Sequence, residues 1–173
     1  DSSGNIDVVW EAAPPFGGGA GYSVIWVATI PSGGGSPSIQ VLPDNQDSTG
    51  TLLIQWQPAI AFAGGTNTLA VTYFQVIQLT GGSYQIERDQ VTAPANSVPT
   101  FGAAKMISTV SWQADKTNPK FDSNAGTCYM GDYSSSASTS ISNVVWSYWG
   151  DNRDVTSGIG PQPDIYGLYL NVP

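Results

Sequence analysis

β-branched and aromatic residues gather into short runs along this whole chain, and almost every run is bracketed by Gly, Pro, Asn, Asp or Ser. That is the pattern of strands ending in turns. The runs are NIDVVWEA (5–12), YSVIWVATI (22–30), SIQVL (38–42), TLLIQWQPAIAFA (51–63), NTLAVTYFQVIQL (67–79), SYQIERDQV (83–91), KMISTVSWQ (105–113), NVVWSYWG (143–150) and DIYGLYLNV (164–172). No long window repeats apolar residues at the i, i+3, i+4, i+7 spacing an amphipathic helix needs. The expected fold class is therefore all-β. GGGAG, SGGGS, AGGT and TGGS recur too close to the strands to mark a domain boundary, so 1–173 reads as one domain.

Three segments overlay one another. GNIDVVWEA with YSVIWVATI, GGTNTLAVTYFQ with SYQIERDQV, and SISNVVWSYWGDNRD with DIYGLYLNV each join an aromatic-rich strand to a second strand carrying an early Tyr. The tyrosines are Tyr22, Tyr84 and Tyr166, spaced 62 and 82 residues apart. Strand-like stretches, IQWQPAIAFA and NPKFDSNAGTCYMGDY, precede the second and third units.

Composition limits the chemistry. At 173 residues the chain can bury one sizeable core. Charged residues are 10% of it, against about 25% in an ordinary globular domain. Small polar residues fill the difference, as in secreted or surface β-proteins, so an extracellular or cell-surface location is expected. Net charge is −8, and five basic residues cannot build a phosphate-neutralising stripe. Nucleic acid is excluded as a partner and an anionic membrane surface is disfavoured. No apolar run reaches the length of a membrane helix, so membrane insertion is not expected. No signal peptide is visible, and a secretory leader would already have been removed. A single Cys128 permits no intrachain disulfide and reads as a buried structural thiol. The absence of histidine removes Ser-His-Asp and Cys-His catalysis and His-ligated zinc.

WQPAIAFAGGTNTLAVTYF resembles the QPAIAVD-GNVYVAWYD pattern of sialidase-like (BNR-type) β-propeller blades. CYMGDYSSSASTSISNVVWSYWGDNRD resembles another blade of that superfamily, and DIYGLYLNV its closing strand. The likeness covers most of 51–173 and, more faintly, 1–42. It implies about three propeller blades, with units at 1–45, 46–100 and 101–173. Three blades leave open sheet edges, so the ring would be partial, or completed by a second chain or by further copies of this one. A self-contained β-sandwich or jelly roll is the alternative.

The resemblance also implies a sialidase site with three arginines, a Tyr–Glu nucleophile and an Asp acid/base. This chain has only Arg88 and Arg153, and Glu11 and Glu87 are its only glutamates. DNQDSTGTLLIQW has the wrong spacing for the family's Asp-box. Sialidase activity is therefore not expected of this chain alone, and no catalytic residue is assigned. Asp132, Asp151 and Asp154 are the carboxylates that could converge on a glycosidic bond, although GDY reads first as a turn.

Sugar binders lay an aromatic face on a pyranose and surround it with small polar groups. Neighbours on a strand point to opposite faces, so one of Tyr148 and Trp149 must approach the surface. Trp149, beside Gly150, is the expected exposed platform. Tyr133, Asp132, Asp151 and Arg153 are the expected ligand-binding companions, with GDNRD in a loop at the rim. Clustered oxygen donors in 44–50 and 151–154 would suit a structural calcium; no other cofactor is expected. SSSASTS (134–140) reads as a solvated loop tip. The function expected is extracellular recognition, of carbohydrate above all. The alternatives are part of a glycoside hydrolase completed elsewhere, and a structural surface or assembly protein.

Overall fold

A computed structural model describes residues 1–14, 22–43, 53–78, 84–111, 134–156 and 160–173, with side chains described in all of these except 78, 84, 151–156 and 160–164. The described residues are strands and turns without a helix. In chain order the strands are β1 (Ile6–Ala12), β2 (Val24–Ile30), β3 (Ser38–Val41), β4 (Gln55–Ala63), β5 (Thr68–Gln78), β6 (Tyr84–Pro94), β7 (Lys105–Met106), β8 (Ser135–Ala137), β9 (Val144–Thr156) and β10 (Gly160–Asn171).

They form three antiparallel sheets in order β1-β2-β3, β4-β5-β6-β7 and β10-β9-β8. Each sheet is a run of consecutive strands joined as hairpins. The three segments that overlay in the sequence are the hairpins β1–β2, β5–β6 and β9–β10.

The middle sheet is covered on both faces. Leu69, Val71, Tyr73, Val91 and Ala93 point one way, to Ile25, Val27 and Leu42 of the first sheet and its connection. Ala70, with Ala61 and Ala63 of β4, points the other way, to Val145 and Val172. Phe74 and Ile86 share that second face and pack on Trp149, with Tyr166, Leu168 and Leu170 against them. Each fully buried aliphatic side chain is worth about 1.5–3 kcal/mol, so these two seams hold the three sheets in one stack. Backbone approach between sheets is concentrated on β4, which runs beside β1 and β2 on one side and β8 and β9 on the other. The first strands of the three sheets thus lie together, and the sheets fan outward from them.

β4 carries Pro58, which a central strand would not tolerate but an edge strand does. Here it falls in a register break between Trp56 and Ala59. Gln57, within that bulge, has φ of +46°. Its backbone joins all three sheets. The N–H donates to Glu11 Oε2 at 2.8 Å, and the C=O accepts from Arg88 Nη1 at 3.0 Å and Ser134 Oγ at 2.9 Å.

Two expectations are corrected here. GDNRD is not a rim loop: β9 continues through it to Thr156, and Asp151 pairs with Asp164 of β10. The serine run is not only a loop tip. Ser135–Ala137 form β8, whose Ser136 hydroxyl turns inward to the hydroxyls of Thr72 (2.9 Å) and Ser147 (3.2 Å).

The outward faces of the two flanking sheets are unusual. In the first sheet, Ile6, Val8, Trp10, Trp26, Ala28, Ile30, Ile39 and Val41 share the side away from the middle sheet, following the register Ile6↔Ile30, Val8↔Ala28, Trp10↔Trp26 and Ala28↔Ile39. In the third, Val144, Trp146, Tyr148, Ile165, Tyr169 and Asn171 share the outer side, with Ser135 and Ala137 of β8. A one-sided antiparallel sheet normally alternates apolar with polar residues. In these two sheets the outer side is mostly apolar, while the inner side mixes apolar residues with hydrogen-bonded polar ones such as Asp7, Thr29, Ser136 and Ser147.

Candidate functional site

A cavity of about 180 Å³ lies against the third sheet, lined by Ile107, Thr109, Trp149, Tyr166, Gly167 and Leu168. It exists because β9 and β10 send Trp149, Tyr166 and Leu168 inward. The segment after β7 is meanwhile tied down by bonds from Ile107 N (2.8 Å) and Ser108 N (3.2 Å) to the Arg88 carbonyl. Thr109 is exposed and sits at the mouth. Gly167 is needed on the opposite side of β10, where the Tyr148 ring crosses it: a Cβ there would lie 2.7 Å from Tyr148 Cδ1.

Trp149 is therefore not an exposed platform. It is 3% exposed and part of the core between the second and third sheets, while Tyr148 is 47% exposed on the other face. The physical reason is Ser147. That residue shares Trp149's face, and its hydroxyl is fully buried, satisfied by Ser136 Oγ and by Thr72 Oγ1 at 3.4 Å. Trp149 is expected outward because it adjoins Gly150, but its face is buried, beside a layer of hydroxyls that bond one another. The exposed aromatics of the third sheet are Trp146, Tyr148 and Tyr169, and the Trp146 and Tyr169 rings pack at 5.4 Å.

Of the expected companions, Asp151 and Arg153 lie on β9 with side chains outside the described residues, and Asp132 and Tyr133 are outside them altogether. So are residues 44–50 and Cys128. Among the described residues no three of His, Cys, Asp or Glu gather closely enough to hold a metal ion.

Sequence reasoning missed Arg88 as a structural centre. Its side chain is fully buried between the second and third sheets. Nη2 donates to Thr72 Oγ1 at 2.8 Å, Nη1 donates to the Gln57 carbonyl, and the guanidinium lies 4.6 Å from the centre of the Phe74 ring. Nε has no partner. Burial lowers its pKa to about 9, a shift that the neighbouring charge of Asp89 partly offsets. The arginine therefore stays cationic at neutral pH. The signal was present as a charge in the middle of SYQIERDQV, an otherwise strand-like run.

Comparison with protein-family models, curated proteins and solved structures gives no match for this chain. The likeness to sialidase-type blades therefore keeps only the residues quoted for it. What remains is chemistry. The cavity offers an indole and a phenol ring, aliphatic walls and hydroxyls at its margin. Among the described residues its lining contains no carboxylate, thiol or amine. Such a surface can hold a small ligand by stacking and apolar contact.

Proposed function

We propose that this chain is a non-catalytic extracellular recognition module on propeller-like sheets, and that carbohydrate is its ligand. The observation carrying the reading is the cavity beside Trp149, whose aromatic and aliphatic lining suits the apolar face of a single sugar ring and, among the described residues, supplies no acid–base pair. The propeller-like part is supported by three consecutive antiparallel sheets stacked face to face, with their first strands closest together at β1, β4 and β8. Low charge and abundant small polar residues support the extracellular setting.

The test is a glycan array probed with the folded protein, followed by titration of any hit with two variants. Thr109→Trp plugs the mouth of the cavity, whereas Trp146→Ala removes an exposed aromatic from the opposite face of β9. Binding lost in T109W and kept in W146A is the expected result, with affinity falling at least about tenfold, or ~1.4 kcal/mol. The reverse pattern would move the site to the outer aromatic face. A folded protein that binds nothing on the array, or one that cleaves the glycan, would overturn the reading.

A further inference from the structure

The two outer faces are the largest feature the cavity leaves unexplained. On the first sheet Ile6 and Ile39 are 61% and 56% exposed, with Val8 and Ile30 beside them. On the third, Tyr169 is 59% exposed, beside Trp146 and Tyr148. Isolated exposed apolar residues are ordinary, but contiguous sheet faces of them mark contact surfaces. We propose that these faces are the two halves of one interface, and that a second copy of this chain fills it head to tail.

Three observations select that occupant. First, the faces lie at opposite ends of the stack, and each continues a sheet whose inner face is already packed against the middle sheet. Stacking the first sheet of one copy on the third sheet of another repeats the sheet-on-sheet contact the chain makes twice internally. Second, the faces differ. The first exposes Ile6, Val8, Ile30 and Ile39 around a half-buried, stacked Trp10–Trp26 pair, whereas the third exposes Trp146, Tyr148 and Tyr169 with Ile165, and a contact between unlike faces is heterologous rather than two-fold symmetric within itself. Third, neither face presents a charged side chain among the described residues, although the chain carries a net −8. Uncharged faces keep the local repulsion between two such acidic copies small where they meet.

Closure sets the number of copies. Heterologous contacts give either a closed ring or an open filament. Sheets stacked around an axis close at about four to eight. With three sheets per chain, two copies give six, inside that range, and three copies give nine, outside it. The pair is therefore a closed dimer with two identical contacts and no apolar face left to solvent. This inference stands apart from carbohydrate binding, because the cavity lines the inner side of the third sheet.

Native mass spectrometry and sedimentation of the full chain test it. The expected species is twice 18.1 kDa, and it should persist or tighten as salt is raised, since screening relieves the repulsion of two acidic chains. Val8→Lys spoils the first-sheet face and Tyr169→Lys the third-sheet face. Each variant alone should be a folded monomer. Mixed together they should pair, because each still carries the face the other needs. Tyr169→Ser serves in place of the lysine variant should that one lose its β-type circular dichroism. A folded monomer of the unaltered chain at every concentration would overturn the proposal. So would a dimer indifferent to either substitution, or variants that never pair when mixed. Monomers whose glycan binding disappears in Y169K would instead assign the aromatic face to a sugar.

Discussion

Gln57 and Arg88 show how bonds from separate sheets converge on single residues, at a cost to each. A non-glycine residue at positive φ costs about 1 kcal/mol or more, and Gln57 accepts that cost at the point where Glu11, Arg88 and Ser134 converge on its peptide groups. Arg88 in turn is a buried cation with no carboxylate in ion-pair range among the described residues. Desolvating such a charge is expensive, and neutral acceptors with one ring repay it only in part. Both of its acceptors also have other hydroxyl partners, Ser134 at Gln57 and Ser136 at Thr72. Arg88→Met is therefore expected to leave stability unchanged or raise it by up to about 2 kcal/mol. Arg88→Lys should lower it by about 1–3 kcal/mol, because an ammonium is more strongly hydrated and cannot stack or fork. Urea unfolding midpoints compare the two. A loss above about 2 kcal/mol in the methionine variant would mean the folded chain compensates the guanidinium with an anion. Very little of this was legible in the sequence. There Arg88 reads only as one of two arginines, and Trp149 is placed outward because it adjoins Gly150, since hydroxyl layers and buried arginines depend on partners far along the chain.

Strands were legible because their signal is local. The runs at 5–12, 22–30, 38–42 and 67–79 coincide with β1, β2, β3 and β5 to within a residue or two. The failures share a cause. β8 is a serine-rich edge whose strand character comes only from pairing with β9, and residues 151–156 are polar strand held by β10. Turn glycines were equally readable as turns, but not as contact points. In the β4–β5 turn, Gly64 and Gly65 meet the β8–β9 loop backbone to backbone, through Gly64 N to the Thr139 carbonyl (3.2 Å) and Gly65 N to the Ser142 carbonyl (3.0 Å). A Cβ on Gly64 would overlap the Ser140 carbonyl, and one on Gly65 would lie 2.8 Å from the Ile141 oxygen. No side-chain rotation can relieve a clash with backbone. Gly64→Ala should therefore cost about 1–3 kcal/mol, toward the upper end of the overpacking range, and loosen the third sheet from the second. Thermal melts give the cost. A variant with the parent's melting temperature would show that the loop moves away freely.

At the scale of the molecule the sheets are unequal, and topology ranks them. The all-β expectation holds, while stacking in three layers with bare outer faces is a long-range property that strand patterns do not encode. β5 is hydrogen-bonded along both edges, by β4 and β6, and both of its faces are buried. β2 and β9 are also paired on both edges, but their outer faces are less covered, with Ile30 exposed on β2 and Trp146 and Tyr148 on β9. Among the described residues β1, β3 and β10 have an unpaired edge as well as exposed apolar residues on the outer face. An amide exchanges through the cheapest opening that exposes it, so protection should follow the number of layers that must leave first. In dilute solution, where copies do not meet, the expected order is β5 slowest, β2 and β9 next, and β1, β3 and β10 fastest. Hydrogen exchange read by mass spectrometry resolves these strands. β5 opens only with the whole molecule, so its exchange should track the global unfolding free energy, while the flanking sheets open below it. If β9 or β2 outlasts β5 in the dilute chain, the middle sheet is not the centre of the cooperative unit, and the two seams cannot be what holds the stack together.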